Sequence, residues 1–180
     1  MIRIEQVIRQ IKERVDMSVV NTVLDLGCGS FATRGDGFPE HDILYTIFDG
    51  CEITGIDIFE PDIIWRKENG PKGEYLCMDI LDFDLKEDYD VIICHHTLEH
   101  LSQEDHDTIF DRIEKTNYKY SILGGPIGES NNDTYIGLTK NVHQKHLIGL
   151  NPLTYENYGY DVYILKEQIC DDAFLAIKEK

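Results

Sequence analysis

Gly27-Cys28-Gly29 follows the run Val23-Leu24-Asp25-Leu26 directly, a spacing that brings a ligand against bare main chain. Glycines lack a Cβ, so a turn built on them accepts positive φ and lets a nucleotide-sized molecule approach the backbone. Asp25 makes the mouth of that turn negative, which favours a ligand with a positive centre and disfavours a pyrophosphate. Two further acids end strand-like runs. Thr54-Gly55-Ile56-Asp57 places a carboxylate where it can accept hydrogen bonds from both hydroxyls of a ribose. Tyr75-Leu76-Cys77-Met78-Asp79-Ile80 places another where it can accept from the exocyclic amine of an adenine, with the Ile80 amide donating to a ring nitrogen. Asp79 could equally cap the residues that follow it. The histidines add general-base chemistry, because imidazole titrates near neutral pH. His95 and His96 close the fourth apolar run, His100 follows, and His143 and His146 lie farther on. His96 and His100 have the spacing of one helical turn, but no Cys or carboxylate cluster at zinc spacing accompanies them, so no metal is expected. His96 and His143 are the candidate general bases.

These residues need elements to hold them. Ile4, Val7, Ile8, Ile11 and Val15 recur at helical spacing, which predicts an amphipathic helix over 3–16. Strands are predicted over 22–26, 51–57, 74–78, 89–94, 118–123, 160–165 and 173–178. A loop and then a helix fill 30–48, with Pro39 in its first turn and Ile43, Leu44 and Ile47 buried. A short helix spans 61–67, with Trp65 packing or lining the mouth. Ser102-Gln103-Glu104-Asp105 starts another in capping-box fashion, with Ile109, Phe110 and Ile113 inward and His106 on a solvated face. Asn151-Pro152 begins a last helix, stopped near Gly159, with Tyr155, Tyr158 and Tyr160 packing around it. Gly124-Gly125-Pro126-Ile127-Gly128-Glu129 reads as a turn or as backbone that hugs a substrate. Residues 124–150 have no clear period, and Tyr135 and His143 within them are candidates for substrate contact. Strands alternating with helices imply a doubly wound, mostly parallel α/β sheet of seven strands. The short link before the last strand adds an antiparallel C-terminal hairpin. The whole chain, 1–180, reads as one domain.

With these residues and elements in place, the chain resembles the class I S-adenosylmethionine-dependent methyltransferases of small-molecule type. The resemblance rests on the acid-x-Gly-x-Gly turn at Asp25–Gly29, on Asp57, on Asp79, and on Asp90 with its apolar run followed by Leu98-Glu99-His100-Leu101. It implies a Rossmann-like methyltransferase fold and S-adenosyl-L-methionine as cofactor. It also implies cofactor contacts at Asp25, Gly27, Cys28, Gly29, Asp57, Ile58, Asp79, Ile80 and His95. Asp25 would act through its charge near the cofactor's ammonium, and His95 through its backbone near the amino acid part. The Asn/Asp-Pro-Pro-aromatic signature of amino-methylating DNA and protein enzymes is replaced by Cys94-His95-His96-Thr97, which argues against a DNA base as acceptor. Two other readings stand beside this one. The turn also fits the looser G-x-G-x-x-A dinucleotide pattern of NAD(P)-dependent oxidoreductases. Asp57 lies 28 residues beyond Gly29, however, where a dinucleotide fold uses ~20. A methyltransferase fold serving as a non-catalytic binding subunit is the other.

Composition narrows the partners. A net charge of -17, from 34 acids against 17 bases, repels a polyanion, so nucleic acid is not expected and a neutral or cationic small-molecule acceptor is. Five cysteines without a C-x-x-C pair fit reduced thiols in the cytoplasm, with Cys77 and Cys94 acting as small hydrophobes inside their strands. No apolar run is long enough to span a bilayer, and no signal peptide is expected. Asn132-Asp133-Thr134 is then a chance glycosylation pattern. Nothing in the residues sets the oligomeric state.

Overall fold

The computed structural model describes residues 3–29, 44–85, 88–129, 141–166 and 172–180. Helix α1 (Arg3–Arg14) leads into β1 (Thr22–Leu26). There follow β2 (Glu52–Asp57), α2 (Glu60–Asn69), β3 (Gly73–Cys77), β4 (Tyr89–His95) and α3 (Gln103–Lys115). The chain then forms β5 (Tyr118–Pro126), α4 (Pro152–Asn157), β6 (Asp161–Leu165) and β7 (Ala173–Glu179). The seven strands make one sheet in the order β3-β2-β1-β4-β5-β7-β6. Strands β1 to β5 are parallel, and β7 runs antiparallel to both β5 and β6. This is the doubly wound sheet with its antiparallel C-terminal pair.

Alternation along the strands explains why both faces are covered. Val91 and Ile93 of β4 face a core shared with Val7 and Ile11 of α1 and Ile63 of α2. Ile92 and Cys94 face the other core, built from Ile109, Phe110 and Ile113 of α3 and Tyr155 of α4. Full burial of each of those α3 side chains stabilises the fold by about 1.5–3 kcal/mol. Helix α3 begins as the sequence indicates: Ser102 Oγ accepts the Asp105 N–H at 3.2 Å and donates its own proton to Asp105 Oδ2 at 2.6 Å. Asn151 caps α4 by accepting the Leu153 N–H.

Three expectations are corrected. Strand β5 does not stop at Leu123 but continues through Gly124-Gly125-Pro126, with Pro126 opposite Ala173 of β7. The His95 ring packs on Gly124, where a Cβ would come within 2.8 Å of its Cδ2; these glycines serve close packing, not a turn. His106 is buried, because it precedes Ile109, Phe110 and Ile113 on the same helical stripe, and its Nε2 lies 3.1 Å from the Tyr155 hydroxyl. Cys77 is exposed, because β3 is an edge strand; Cys94, in the centre, is fully buried. Cys28, Cys51, Cys77 and Cys94 are free thiols. Among the described residues, no helix is long and apolar enough to cross a membrane. Pro39 and Ile43 with most of the 30–48 loop and helix, Asn132–Thr134, Tyr135 and Cys170 lie outside the described residues.

Candidate functional site

The strand order reverses between β1 and β4, which makes their carboxyl ends the switch point where an open α/β sheet takes its ligand. A cavity of about 410 Å³ lies there. Small-molecule sites span ~300–1,000 Å³. Gly27, Gly29, Asp57, Ile58, Asp79 and Ile80 line it, together with His96, Thr97, His100 and the segment from Asn141 to Lys145 that carries His143. The sequence-derived site thus divides in two. Gly27, Gly29, Asp57, Ile58, Asp79, Ile80, His96 and His143 share one cavity, whereas Asp25, Cys28 and His95 are buried outside its lining.

Each lining residue has a local cause. Leaving β1, the chain turns at Gly27 with φ of 86°, and the N–H groups of Gly27 and Cys28 both donate to the Ile56 carbonyl, at 2.8 and 2.9 Å. Gly29 then donates its N–H to Asp57 Oδ2 at 2.9 Å, while Phe59 donates to Asp57 Oδ1 at 2.8 Å. Each carboxylate oxygen is aimed by one amide and keeps acceptor capacity for a further donor. Burial raises the Asp57 carboxyl above its ordinary range, and the two amides and the nearby His100 and His143 pull it back. A Cβ at Gly29 would stand 2.6 Å from Asp57 Oδ2, so glycine is what leaves this carboxylate accessible. Asp79 lines the cavity and its Oδ1 accepts the Leu81 N–H at 2.9 Å, which closes a local turn over residues that form no helix.

Asp25 is the largest departure from the sequence reading. It is 0% exposed and accepts the Tyr45 hydroxyl at 2.5 Å, so its charge does not face the mouth. Burial pushes its carboxyl up to about 6, against the Tyr45 hydrogen bond and the Arg66 charge. Cys28 is equally buried, and burial with the neighbouring Asp25 and Asp57 drives its thiol well above the ordinary range. The sequence reading misses Arg66. Its position on α2 suggests a solvated cation, yet it is 1% exposed; its Nε donates to the Cys28 carbonyl at 2.8 Å and its Nη2 to the Gly29 carbonyl at 3.4 Å. It ties the glycine turn to α2 from within the core. Buried Asp62 lies four residues before Arg66 on a stripe with Ile63, and its Oδ2 lies 3.1 Å from a Cβ built at Gly29.

His96 follows β4 and is the one described non-glycine residue with positive φ, 56°. Backbone strain of this kind clusters at functional sites. Its N–H donates to the Gly124 carbonyl at 2.8 Å. Its Nδ1–H donates to Glu99 Oε1 at 3.2 Å, and its Nε2 is buried without a hydrogen-bond partner among the described residues. A carboxylate accepts only, so this bond leaves the imidazole lone pair on Nε2. Burial raises the Glu99 carboxyl, but His96 and the nearby His100 outweigh it and hold Glu99 below its ordinary range. His143 is exposed and its N–H donates to Asn141 Oδ1 at 3.0 Å. The 141–147 segment is docked on the β4–α3 connection by the Leu147 N–H, which donates to the Glu99 carbonyl at 2.8 Å.

Residues 24–116, more than half of the chain, match the methyltransferase domain family. The chain belongs to that family. It is a class I member, with S-adenosylmethionine as the family's cofactor. A ubiquinone biosynthesis O-methyltransferase of Rickettsia prowazekii (strain Madrid E) is 29% identical over 105 residues, 56% of this chain and 38% of the relative. The chain thus spans well under half the length of that curated relative. Among solved structures, N-methyltransferase NodS of Bradyrhizobium japonicum WM9 with S-adenosyl-L-homocysteine superposes with a TM-score of 0.68 at 18% identity. That match covers 99% of this chain and 85% of NodS. The small RNA methyltransferase HEN1 gives 0.63 at 18% identity, covering 99% of this chain and 25% of HEN1. These likenesses establish the fold. They do not favour the nicotinamide-dependent reading. The residues present fit the family's cofactor: the Gly29 cradle holds an aimed carboxylate open, and Asp79 shares the cavity.

Proposed function

We propose that this chain binds S-adenosylmethionine in the cavity beyond β1 and β4 and transfers its methyl group to a small-molecule acceptor. The observation that carries the reading is Asp57, with one backbone amide on each carboxylate oxygen, in one cavity with Gly27, Gly29 and Asp79. Asp57 accepts the two ribose hydroxyls. Asp79 accepts the adenine amine, and the Ile80 amide donates to a ring nitrogen. Ile58 and Ile80 supply apolar contact to the base. Gly27, Cys28 and Gly29 offer main chain to the amino acid part, and the backbone of His95 flanks it.

When bound, the cofactor supplies a methyl carbon made electrophilic by a sulfonium. The protein's contribution is then to hold the acceptor atom in line, which supplies most of the rate. In this reading His96 takes a proton from that atom. Glu99 fixes its Nδ1–H, and the lone pair of Nε2 is left for the acceptor. His143 is the second candidate for acceptor contact, from the 141–147 segment.

The net charge of -17 supports a small acceptor over nucleic acid, since counterion release cannot drive binding without a cationic track. The test is methyl transfer from isotopically labelled S-adenosylmethionine into separate small-molecule, RNA and DNA pools. Label entering the small-molecule pool alone is the expected result. Label in RNA or DNA, or saturable binding of either in a low-salt gel shift, would overturn the acceptor class. His96→Ala and His143→Ala should lower turnover while leaving S-adenosylhomocysteine affinity nearly intact.

A further inference from the structure

Beside the cofactor cavity, the fold gathers three metal-ligating side chains that the methyl-transfer reading leaves unused as a group. Glu99, His100 and His146 present one ligand atom each, all within 4.8 Å of one another. Glu99 and His100 sit in the turn after β4, and His146 in the segment after the Val142–Gln144 turn. We propose that Glu99, His100 and His146 form a site for one divalent ion of borderline character, such as Zn²⁺, Co²⁺ or Mn²⁺.

Four observations carry the proposal. The donor set is two imidazoles and one carboxylate, which suits first-row divalent ions and is the set of three protein ligands that leaves coordination positions open. His100 is held in the required tautomer: its Nδ1–H donates to the Lys145 carbonyl at 3.3 Å, leaving Nε2 as the ligating atom, 4.0 Å from Glu99 Oε1. A backbone carbonyl on the other ring nitrogen is the usual outer support of a metal-bound histidine. Glu99 is a carboxylate only 1% exposed, oriented by the His96 Nδ1–H, and its Oε2 has no hydrogen-bond partner among the described residues. The His100 and His146 rings stand 5.0 Å apart, centroid to centroid, tilted by 51°. Donors within 4.8 Å of one another stand somewhat wider than an ion at ~2.0–2.2 Å from each requires, so binding draws them inward.

The sequence shows no carboxylate at zinc spacing from these histidines, yet the fold brings Glu99 beside His100 and His146. An ion here has its open positions toward the cavity, which His100 and Lys145 also line. There it would bind an oxygen of the acceptor and ease loss of its proton. That role rests on the proposed function, whereas ion binding itself does not.

The experiment strips the chain with EDTA and titrates it with Co²⁺, followed by visible absorption, and with Zn²⁺, followed by calorimetry, both without cofactor. One ion per chain, saturating at micromolar metal, is the expected result. His146→Ala and His100→Ala should each weaken binding roughly tenfold or more. His146 is partly exposed and outside the cavity lining, so its variant keeps the fold, which circular dichroism checks. Absence of saturable binding in the wild type, or binding undiminished in His146→Ala, would overturn the site. A failure of S-adenosylhomocysteine to bind would count against the proposed function and leave the metal titration to be read by itself.

Discussion

Asp25→Asn should stabilise the protein at neutral pH relative to acid. In the unfolded chain this carboxyl titrates near 3.8; in the fold, burial raises it to about 6. The folded state therefore holds a proton that the unfolded state has released over that window. The contribution is fully present below the unfolded value and is lost as pH rises through the folded one. The gap of about two units, at 1.36 kcal/mol each, makes ionising Asp25 in the fold cost about 3 kcal/mol. Of that, about 2 kcal/mol falls between about pH 4.5 and about pH 7.5. Asparagine keeps the shape and an oxygen to accept the Tyr45 hydroxyl, and it does not titrate. Asp90 works in the opposite sense, since Lys119 holds it near about 2, but it is common to both proteins and cancels in the difference. Urea unfolding of wild type and variant across this range is the assay. The stability difference should grow in favour of the variant by about 2 kcal/mol from the acid to the neutral end. Parallel curves would refute the assignment of a buried, raised carboxyl at Asp25.

Asp57→Ala should weaken S-adenosylhomocysteine binding by ~1.5–3 kcal/mol, roughly tenfold to a hundredfold, measured by calorimetry; unchanged affinity would place the ribose elsewhere. Gly29→Ala should weaken the same binding tenfold or more (about 1.4 kcal/mol), because its Cβ meets Asp57 Oδ2 at 2.6 Å. Arg66→Met should lower stability by ~1.5–3 kcal/mol in urea melts by freeing the Cys28 and Gly29 carbonyls, and an unchanged midpoint would show that the turn stands without it.

Most of the fold is legible in residue patterns. Period-two and period-3.6 runs mark the strands and helices, and Ser102 and Asn151 announce two helix starts within a residue. The overrun of β5 is not legible, because Gly124-Gly125-Pro126 has turn composition and only the His95 ring and β7 make it a strand. The insertion of β7 between β5 and β6 is likewise a property of the whole sheet. In the site, residues at or just beyond strand ends, Gly29, Asp57 and Asp79, meet in one cavity because parallel strands deliver their carboxyl ends to one edge. Asp25 fails as a mouth charge because it lies one alternation deeper, facing the Tyr45 and Arg66 side of the sheet. Arg66 is hidden for a similar reason: a cation in the last turn of a helix suggests solvent until the glycine turn packs on it. The meeting of Glu99 and His100 with His146 depends on how the 141–147 segment docks, and no local pattern reports that contact.

The most direct test is titration of the purified chain with S-adenosylhomocysteine, by calorimetry and by thermal unfolding. One site per chain is predicted, with about 2.7 kcal/mol of added stability at ~100 times the dissociation constant and a matching rise in melting temperature. A folded sample that shows neither heat nor a thermal shift at millimolar ligand would contradict the assignment of the Gly27–Gly29, Asp57 and Asp79 cavity as a cofactor site.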